Sequence, residues 1–294
     1  MIRYGPYLSR VENIATACAS STTGRCFTDR PFTDARQASR VLLFVLVTAA
    51  AVCAADSPFA GSWKLNPAKS AFTGTTIAFE QAAGGGMKMT ADGQSYTFKV
   101  DGKSYPAFMG HAATWTQVDP STWQAAYTKP DTGLALYTQV LVLSPDGKAL
   151  TATYKGSKPS GEAFEDSTVF QRVAGTSGLP GTWKSSKVQI NSPDMLQITA
   201  GKDDGLVFTI PAYNMTADVK FDGKDYAVSG PTVPAGFTMG LRRIDARSFE
   251  MIQKVGGKVV YRDTMTVSAD GKTLTDVGVA EGTQEKTKAV YDRQ

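Results

Sequence analysis

Cysteine is confined to the start of this sequence, and histidine is almost absent. All three cysteines, Cys18, Cys26 and Cys53, precede residue 56, and His111 is the only histidine. If the N-terminal segment is removed, no thiol remains, which excludes a disulfide framework, a thiolate nucleophile and a cysteine-ligated metal. One histidine cannot form an imidazole-rich metal site. The sequence therefore predicts no metal and no cofactor.

Long hydrophobic runs are also scarce, and the only strong one is residues 41–55. Arg36 and Arg40 precede this run, and small residues around Cys53 end it before Asp56. This order of charge, apolar stretch and small residues is typical of a secretory signal peptide. The run is shorter than the roughly 20 residues that a membrane-spanning helix needs. We expect residues 1–55 to be a leader that is disordered or removed, with no transmembrane segment in what remains.

The exported protein is expected in the periplasm or outside the cell. Two alternatives stay open for the apolar run. Cys53 could become a lipid-anchored N-terminus, although Val52 stands where such a signal favours a small residue. The run could also be a buried helix of the first domain. A cleaved signal peptide is the leading interpretation.

A strongly basic surface is missing as well. The chain has 31 basic and 27 acidic residues, and residues 1–55 hold six of the basic and three of the acidic ones. The remainder is nearly neutral, with the two signs interspersed, so it lacks the basic stripe that follows a phosphate backbone. We therefore expect no nucleic-acid partner.

In place of long helices the sequence contains a duplicated pattern. Four landmarks occur in the same order and at nearly constant spacing in both halves, which is the signature of an internal repeat. They are Gly-Ser-Trp-Lys at 61–64 and Gly-Thr-Trp-Lys at 181–184, Asp-Gly-Lys at 101–103 and 222–224, Asp-Gly-Lys at 146–148 and 270–272, and a closing Arg172 and Arg293. We predict one domain at 56–174 and a second at 179–294, joined by a small-residue linker at 174–178.

Within each repeat the hydrophobic period is two. Tyr96, Phe98 and Val100 alternate with polar residues, as a strand does when one face is buried and the other is wet. Asp-Gly and Gly-Gly pairs between such runs favour tight hairpin turns. These signals predict about eight to ten short strands per repeat, and closing them into a barrel removes exposed edges. The predicted fold class is all-β with two tandem antiparallel barrels, and two open sandwiches are the alternative.

The opening Gly-x-Trp of each repeat, followed by an up-and-down run of strands, resembles the lipocalin and fatty-acid-binding protein superfamily. The resemblance implies that each tryptophan plugs the closed end of a barrel and that an arginine from the last strand lies across it. The matching pairs are Trp63 with Arg172, and Trp183 with Arg293. A guanidinium over an indole face gains about 0.5–2 kcal/mol while it covers an apolar end. A ligand would then enter at the opposite end.

The duplicated unit also resembles an uncharacterised family of secreted bacterial repeats. Lys-Val-Gly-Gly-Lys-Val-Val at 254–260 and Tyr-Asp-Arg at 291–293 carry this resemblance. Two features of fatty-acid-binding proteins are missing, because the segment 66–76 is too short for their helical lid and their Arg-x-Tyr clamp has no match. The resemblance therefore supports the fold and export, and it does not support fatty-acid binding through that clamp.

Candidate ligand-binding residues lie on faces that are expected to point into the barrels. Phe237, Met239, Leu241 and Arg243 alternate along one segment and share a face. A charge at the end of an apolar face is costly unless it is paired. Arg243 could therefore anchor an acidic head group, meet an internal carboxylate, or lie at a rim and face water. The candidates in the other repeat are Trp115, Gln117, Trp123 and Tyr127, of which the aromatic residues could equally fill the core.

Catalytic candidates are weak, and we expect no enzymatic activity. His111 lies in a loop-like stretch without an acidic partner nearby in sequence, and it is expected to be exposed. The acidic residues cluster in predicted turns, where carboxylates serve the backbone; they are Asp146, Asp203, Asp204 and Asp270. The leading expectation is an exported protein that binds a small hydrophobic or amphipathic ligand in a barrel cavity. The alternative is a non-catalytic structural or interaction module of the cell envelope with filled barrels.

Overall fold

The computed structural model describes residues 57–294, which form an all-β protein. The expected leader, the cleavage site and the three cysteines lie outside the described residues. Within the part of the chain that is described, no helix is long and apolar enough to cross a membrane. The predicted fold class of two antiparallel barrels is confirmed.

The secondary structure of the described residues consists of short strands and single 3₁₀ turns, joined by loops. The strands are β1 Gly61–Leu65, β2 Thr76–Ala82, β3 Gly86–Ala91, β4 Gln94–Phe98, β5 Ser104–Pro106, β6 Ala112–Asp119, β7 Thr122–Thr128, β8 Ala135–Leu143, β9 Ala149–Ser157, β10 Ala163–Ala174, β11 Gly181–Gln189, β12 Met195–Ala200, β13 Gly205–Ile210, β14 Met215–Lys220, β15 Tyr226–Ala227, β16 Phe237–Asp245, β17 Ser248–Val255, β18 Lys258–Val267, β19 Thr273–Ala280 and β20 Lys286–Arg293. The 3₁₀ turns are Pro67–Lys69, Ala83–Gly85, Phe108–Gly110 and Pro211–Tyr213.

The strands form two antiparallel sheets of ten strands, and each sheet curls into a nearly closed barrel. The first barrel consists of β2–β11, with β4 and β5 at its edges. The second barrel consists of β1 and β12–β20, with β14 and β15 at its edges. Beside the edges of the second barrel, Thr216 and Ser229 exchange backbone hydrogen bonds of 2.8 and 2.9 Å. Near-closure brings the edge strands of each sheet close together, although no ladder of backbone hydrogen bonds joins them.

The opening strands of the two repeats are exchanged between the barrels. Strand β1 pairs with β12 and β20, and Trp63 lies level with Arg293. Strand β11 pairs with β2 and β10, and Trp183 lies level with Arg172. The predicted domain limits, 56–174 and 179–294, are therefore wrong by one strand each. The expected linker at 174–178 belongs instead to the β10–β11 hairpin of the first barrel.

The chain passes between the barrels at residues 66–75 and again at 190–194. The first passage is fixed to β20, because Asn66 Nδ2 and Lys69 Nζ donate hydrogen bonds of 2.6 and 2.7 Å to the carboxylate of Asp292. Ala71 and Lys288 also exchange backbone hydrogen bonds of 2.8 Å. These contacts hold β1 in the second barrel after the chain has left it.

Two of the predicted Asp-Gly pairs, Asp146-Gly147 and Asp270-Gly271, form hairpin turns. The other two, Asp101-Gly102 and Asp222-Gly223, instead connect the edge strands β4 and β5 and the edge strands β14 and β15. In the β8–β9 turn, Asp146 accepts hydrogen bonds from Ser144 Oγ at 2.7 Å and from the amide of Lys148 at 3.1 Å. These bonds stabilise the charged carboxylate and lower the pKa of Asp146. Gly147 has a φ of 69°, which a residue without Cβ adopts readily. The carboxylates of these turns serve the backbone.

One end of each barrel, which we call the tryptophan end, is closed by a tryptophan and an arginine. The guanidinium of Arg293 lies 4.1 Å from the ring centre of Trp63, and that of Arg172 lies 4.0 Å from the ring centre of Trp183. The expected pairs, Trp63 with Arg172 and Trp183 with Arg293, are wrong because the opening strands are exchanged. Each arginine also donates to three backbone carbonyl oxygens, those of Gly147, Gly178 and Pro180 for Arg172 and those of Pro58, Ala60 and Gly271 for Arg293.

The opposite ends, which we call the mouths, meet through their loops. In the β3–β4 turn of the first barrel, Asp92 accepts a hydrogen bond of 2.7 Å from Tyr261 Oη of the second barrel. Next to it, a Cβ added to Gly93 would lie 2.0 Å from the backbone oxygen of Glu281. On the other side, the amide of Ser160 donates to the oxygen of Ala212 at 3.0 Å. The mouth of each barrel is thus bordered by the other barrel rather than by water alone.

Candidate functional site

Alternate residues of the strands point inward and form an apolar core in each barrel. In the first barrel, Leu141, Ala125 and Ala152 are completely buried, as is Trp115. Side chains of this kind need no polar partner. Polar groups at the same depth therefore require their own explanation.

A chain of hydrogen bonds crosses the core of the first barrel. Trp115 Nε1 donates to Tyr96 Oη at 3.0 Å, and the hydroxyls of Tyr96 and Tyr127 are 2.9 Å apart. Tyr127 Oη donates to Gln139 Oε1 at 3.2 Å, and Gln139 Nε2 donates to Tyr154 Oη at 3.2 Å. We call these five residues the tyrosine layer. Each of them is more than nine-tenths buried.

The direction of the hydrogen bonds in the tyrosine layer follows from its chemistry. An indole N–H can only donate, so Tyr96 accepts from Trp115. Tyr127 donates its single proton to Gln139 Oε1. The proton of Tyr96 has two acceptors within reach, Tyr127 Oη at 2.9 Å and Met89 Sδ at 3.7 Å. Tyr154 accepts from the amide of Gln139, and its own proton has no acceptor among the described residues. The chain therefore ends on a buried hydroxyl that can still donate.

The hydroxyls of the tyrosine layer stay protonated. Burial raises the pKa of Tyr96 to about 12, because a phenolate would lose its hydration there. Burial also raises the pKa of Tyr127 and, with the negative charge of Asp92 as a smaller cause, that of Tyr154. The layer is consequently a set of neutral donors and acceptors at any physiological pH.

Aromatic rings surround the tyrosine layer in ordered pairs. Tyr127 and Tyr137 stack with ring centres 4.4 Å apart and an angle of 13° between their planes. Phe98 stacks on Trp115 at 4.5 Å and 18°. Stacked and edge-to-face rings of this kind add about 0.5–1.5 kcal/mol per pair beyond their burial. The layer thus lies between fixed aromatic faces.

His111 lies at the mouth of the first barrel, and its expected exposure is wrong. Only 3% of the residue is exposed, because it continues the inward-facing series of Trp115 and Ala113. Burial lowers the pKa of His111 to about 4, and the nearby charge of Lys129 adds to the shift. His111 is therefore neutral at pH 7. Its Nε2 atom is buried and has no hydrogen-bond partner in the described part of the chain.

The other candidates of the first repeat divide between the interior and the surface. Trp115, Trp123 and Tyr127 are buried on the inner face, and Tyr127 belongs to the tyrosine layer. Gln117 is exposed. It lies where the β6–β7 hairpin bulges at the tryptophan end, two residues before Asp119 and beyond the core. The structure therefore does not bring Gln117 together with the others.

Among the candidates of the second repeat, Phe237, Met239 and Leu241 are buried and Arg243 is not. Arg243 lies at the tryptophan end, where its guanidinium covers the ring of Phe221 at 3.9 Å. Its Nη2 atom forms an ion pair of 2.8 Å with Asp204, whose side chain is 77% exposed. Of the three roles left open for Arg243, the structure matches the rim position. Its guanidinium is on the side of the barrel away from the mouth.

The second barrel carries a different polar group at the equivalent depth. Asp263 and Asp276 are completely or almost completely buried, and Gln253 Nε2 donates to Asp263 Oδ2. Sequence reasoning missed these residues because it assigned acidic residues to turns. The signal was present, since Asp263 alternates with Tyr261 and Met265 along β18.

Strand register aligns the interiors of the two barrels residue by residue. Gln139 pairs with Tyr154 across β8 and β9, as Asp263 pairs with Gly278 across β18 and β19. The tryptophan ends keep the same chemistry, whereas the polar layer is rich in tyrosine in the first barrel and acidic in the second. The two interiors are therefore chemically distinct. Within residues 57–294, no three potential ligand side chains come together as a metal site.

No family model, no curated protein and no solved structure matches this chain. The barrel architecture rests on the structure itself. Membership of the lipocalin superfamily or of the bacterial repeat family stays a prediction.

Proposed function

We propose that this protein is an exported, non-catalytic binding protein that holds a small amphipathic molecule in the first barrel. The observation that carries the proposal is the tyrosine layer, a buried hydrogen-bonded chain in a core that is otherwise apolar. Apolar residues of similar volume would fill the same space without polar atoms to satisfy. A buried polar network that is only partly satisfied destabilises the fold. A ligand that pairs with the unsatisfied groups would remove this cost.

Two atoms define what a ligand would complete. The hydroxyl proton of Tyr154 and the Nε2 atom of His111 are buried without a partner in the described residues. An unsatisfied buried donor or acceptor costs about 1–3 kcal/mol. A ligand that pairs with either atom recovers this free energy in addition to burying its own apolar surface. Affinity would therefore come from the polar layer as well as from the aromatic faces.

The two edges of the first sheet, β4 and β5, lie beside each other without a backbone ladder between them. Each of these strands pairs on one side only, β4 with β3 and β5 with β6. Tyr96 of the tyrosine layer lies on β4 beside this seam, with its ring edge-to-face to Phe108 at 4.6 Å. A ligand that separates two unpaired edges breaks no backbone ladder. We propose this seam as the route of entry, since loops of the second barrel border the mouth.

Native mass spectrometry of protein purified from its own host tests the proposal. We expect a bound small molecule on the native protein and on the control Gln253→Leu, which removes a buried glutamine from the second barrel. We expect the bound mass to be absent from Gln139→Leu, which interrupts the tyrosine layer. Absence of bound mass from the native protein, or its retention in Gln139→Leu, would contradict binding in the first barrel.

A structural or interaction module is the second candidate, and the density of both interiors favours it. The largest completely buried side chains include Trp63, Trp115, Trp183 and Phe249, from both barrels. Filled barrels would leave the outer surface as the functional part. This candidate predicts that no small molecule is retained and that Gln139→Leu changes stability alone.

A further inference from the structure

The chemistry of the tyrosine layer restricts the class of ligand, and this step rests on the function proposed above. We infer that the ligand is an uncharged molecule with a planar aromatic part and an acceptor oxygen, such as a ketone, that receives the hydrogen bond of Tyr154. Three features of the first barrel lead to this class.

The first feature is the polarity of the hydrogen-bonded chain. The bonds from Tyr127 through Gln139 to Tyr154 run in the same direction, from donor to acceptor. The free group at its end is an O–H, so the complementary ligand atom is an acceptor. Bonds aligned in this way polarise one another, which makes the terminal O–H of Tyr154 a better donor than an isolated phenol.

The second feature is the absence of a free positive charge beside that donor in the described residues. The layer and His111 are neutral, and Lys129, whose charge acts on His111, forms an ion pair of 2.8 Å with Asp131. The charge that acts on Tyr154 is the negative one of Asp92. Moving a carboxylate into such a site would cost its hydration without a compensating partner. An anionic ligand of equal shape should therefore bind more weakly than a neutral one.

The third feature is the arrangement of rings around Tyr154. Tyr137 stacks on Tyr127, and its ring centre is 6.3 Å from that of Tyr154 at an angle of 56°. These flat faces suit a planar ring, which gains from stacked and edge-to-face contacts. A flexible alkyl chain would lose rotational freedom there without gaining those contacts. The surroundings of the donor thus favour an aromatic ligand.

Three probes of nearly equal size separate these features when each is titrated into the full-length protein by calorimetry. They are 2-acetylnaphthalene, which is neutral and has an acceptor oxygen, 2-isopropenylnaphthalene, which has no acceptor, and 2-naphthoate, which is anionic. We expect the ketone to bind about three- to tenfold more tightly than the alkene, the factor that one net hydrogen bond provides. We expect 2-naphthoate to bind at least about tenfold more weakly than the ketone, because its charge is desolvated without a partner.

Tyr154→Phe keeps the ring and removes the donor, so it should abolish the preference for the ketone over the alkene. Tyr226→Phe is the matched control, because Tyr226 donates to Asp222 at 2.9 Å on the second barrel and outside the tyrosine layer. It should leave the preference unchanged.

Equal binding of ketone and alkene by the native protein, tighter binding of 2-naphthoate, or binding of none of the probes would overturn the ligand class. The proposed function fails separately, when host-purified protein carries no bound small molecule. A bound molecule that proves to be anionic would refute the class and leave the binding function standing.

Discussion

Replacing Trp63 by alanine should weaken the second barrel, although Trp63 belongs to the first sequence repeat. The side chain is completely buried, its Nε1 atom donates to the oxygen of Phe59 at 2.9 Å, and Arg293 lies over its ring at 4.1 Å. Truncating a buried tryptophan costs about 3–5 kcal/mol. The loss of the guanidinium contact adds about 0.5–2 kcal/mol. The expected total of about 3.5–7 kcal/mol is a large part of the stability of an ordinary domain, about 5–15 kcal/mol.

Hydrogen exchange followed by mass spectrometry locates this loss. Because β1 pairs with β12 and β20, Trp63→Ala should accelerate exchange in β12 and β20 before it affects β2 and β10. The variant Trp183→Ala should do the reverse, since β11 pairs with β2 and β10. Trp63→Phe keeps a ring and provides a milder form of the same test if the alanine variant unfolds entirely. Loss of protection in β2 and β10 on changing Trp63 would refute the exchanged arrangement.

Two further perturbations probe the mouths. Stability to urea should fall as the pH is lowered from 6.5 towards 4. His111 has a pKa of about 4 in the folded protein, below its ordinary value of 6.5, so the unfolded chain takes up the proton first. The native protein should lose roughly 3 kcal/mol more than His111→Gln over this range, and equal losses would show that His111 is accessible to protons. Gly93→Ala should lower thermal stability by about 1–3 kcal/mol more than Gly147→Ala. The two glycines have nearly equal φ angles of 70° and 69°, but only a Cβ at Gly93 would lie 2.0 Å from a backbone oxygen, that of Glu281. Equal effects would mean that the loops of the two mouths are not in contact.

The strands and hairpins could be predicted from the sequence because their signals are local. Alternation such as that of Tyr96 and Phe98, and turns such as Asp146-Gly147, depend on neighbouring residues and on backbone sterics. The exchange of the opening strands could not be predicted in the same way. The segments around Trp63 and Trp183 are almost identical, so either one could form the opening strand of either barrel. Which barrel each strand joins depends on how residues 66–75 and 190–194 run between the barrels.

The candidate site was predictable in part. Trp115, Trp123 and Tyr127 follow the inward alternation. Gln139 and Asp263 follow it as well, but a single polar residue within an apolar alternation does not by itself indicate a buried network. The burial of His111 continues the inward alternation of Ala113 and Trp115 and is not apparent from the loop-like stretch around it. The position of Arg243 depends on Asp204 and Phe221, both distant along the chain. Contacts of this kind appear only in the folded structure.

The central claim, that a ligand is held in the tyrosine layer of the first barrel, is tested most directly by hydrogen exchange with and without bound 2-acetylnaphthalene. The account predicts slower exchange at amides of β7, β8 and β9, the strands that carry Tyr127, Gln139 and Tyr154. It predicts no change in β17, β18 and β19, their counterparts in the second barrel. Protection confined to the second barrel, or no change under conditions where calorimetry shows saturation, would contradict the claim.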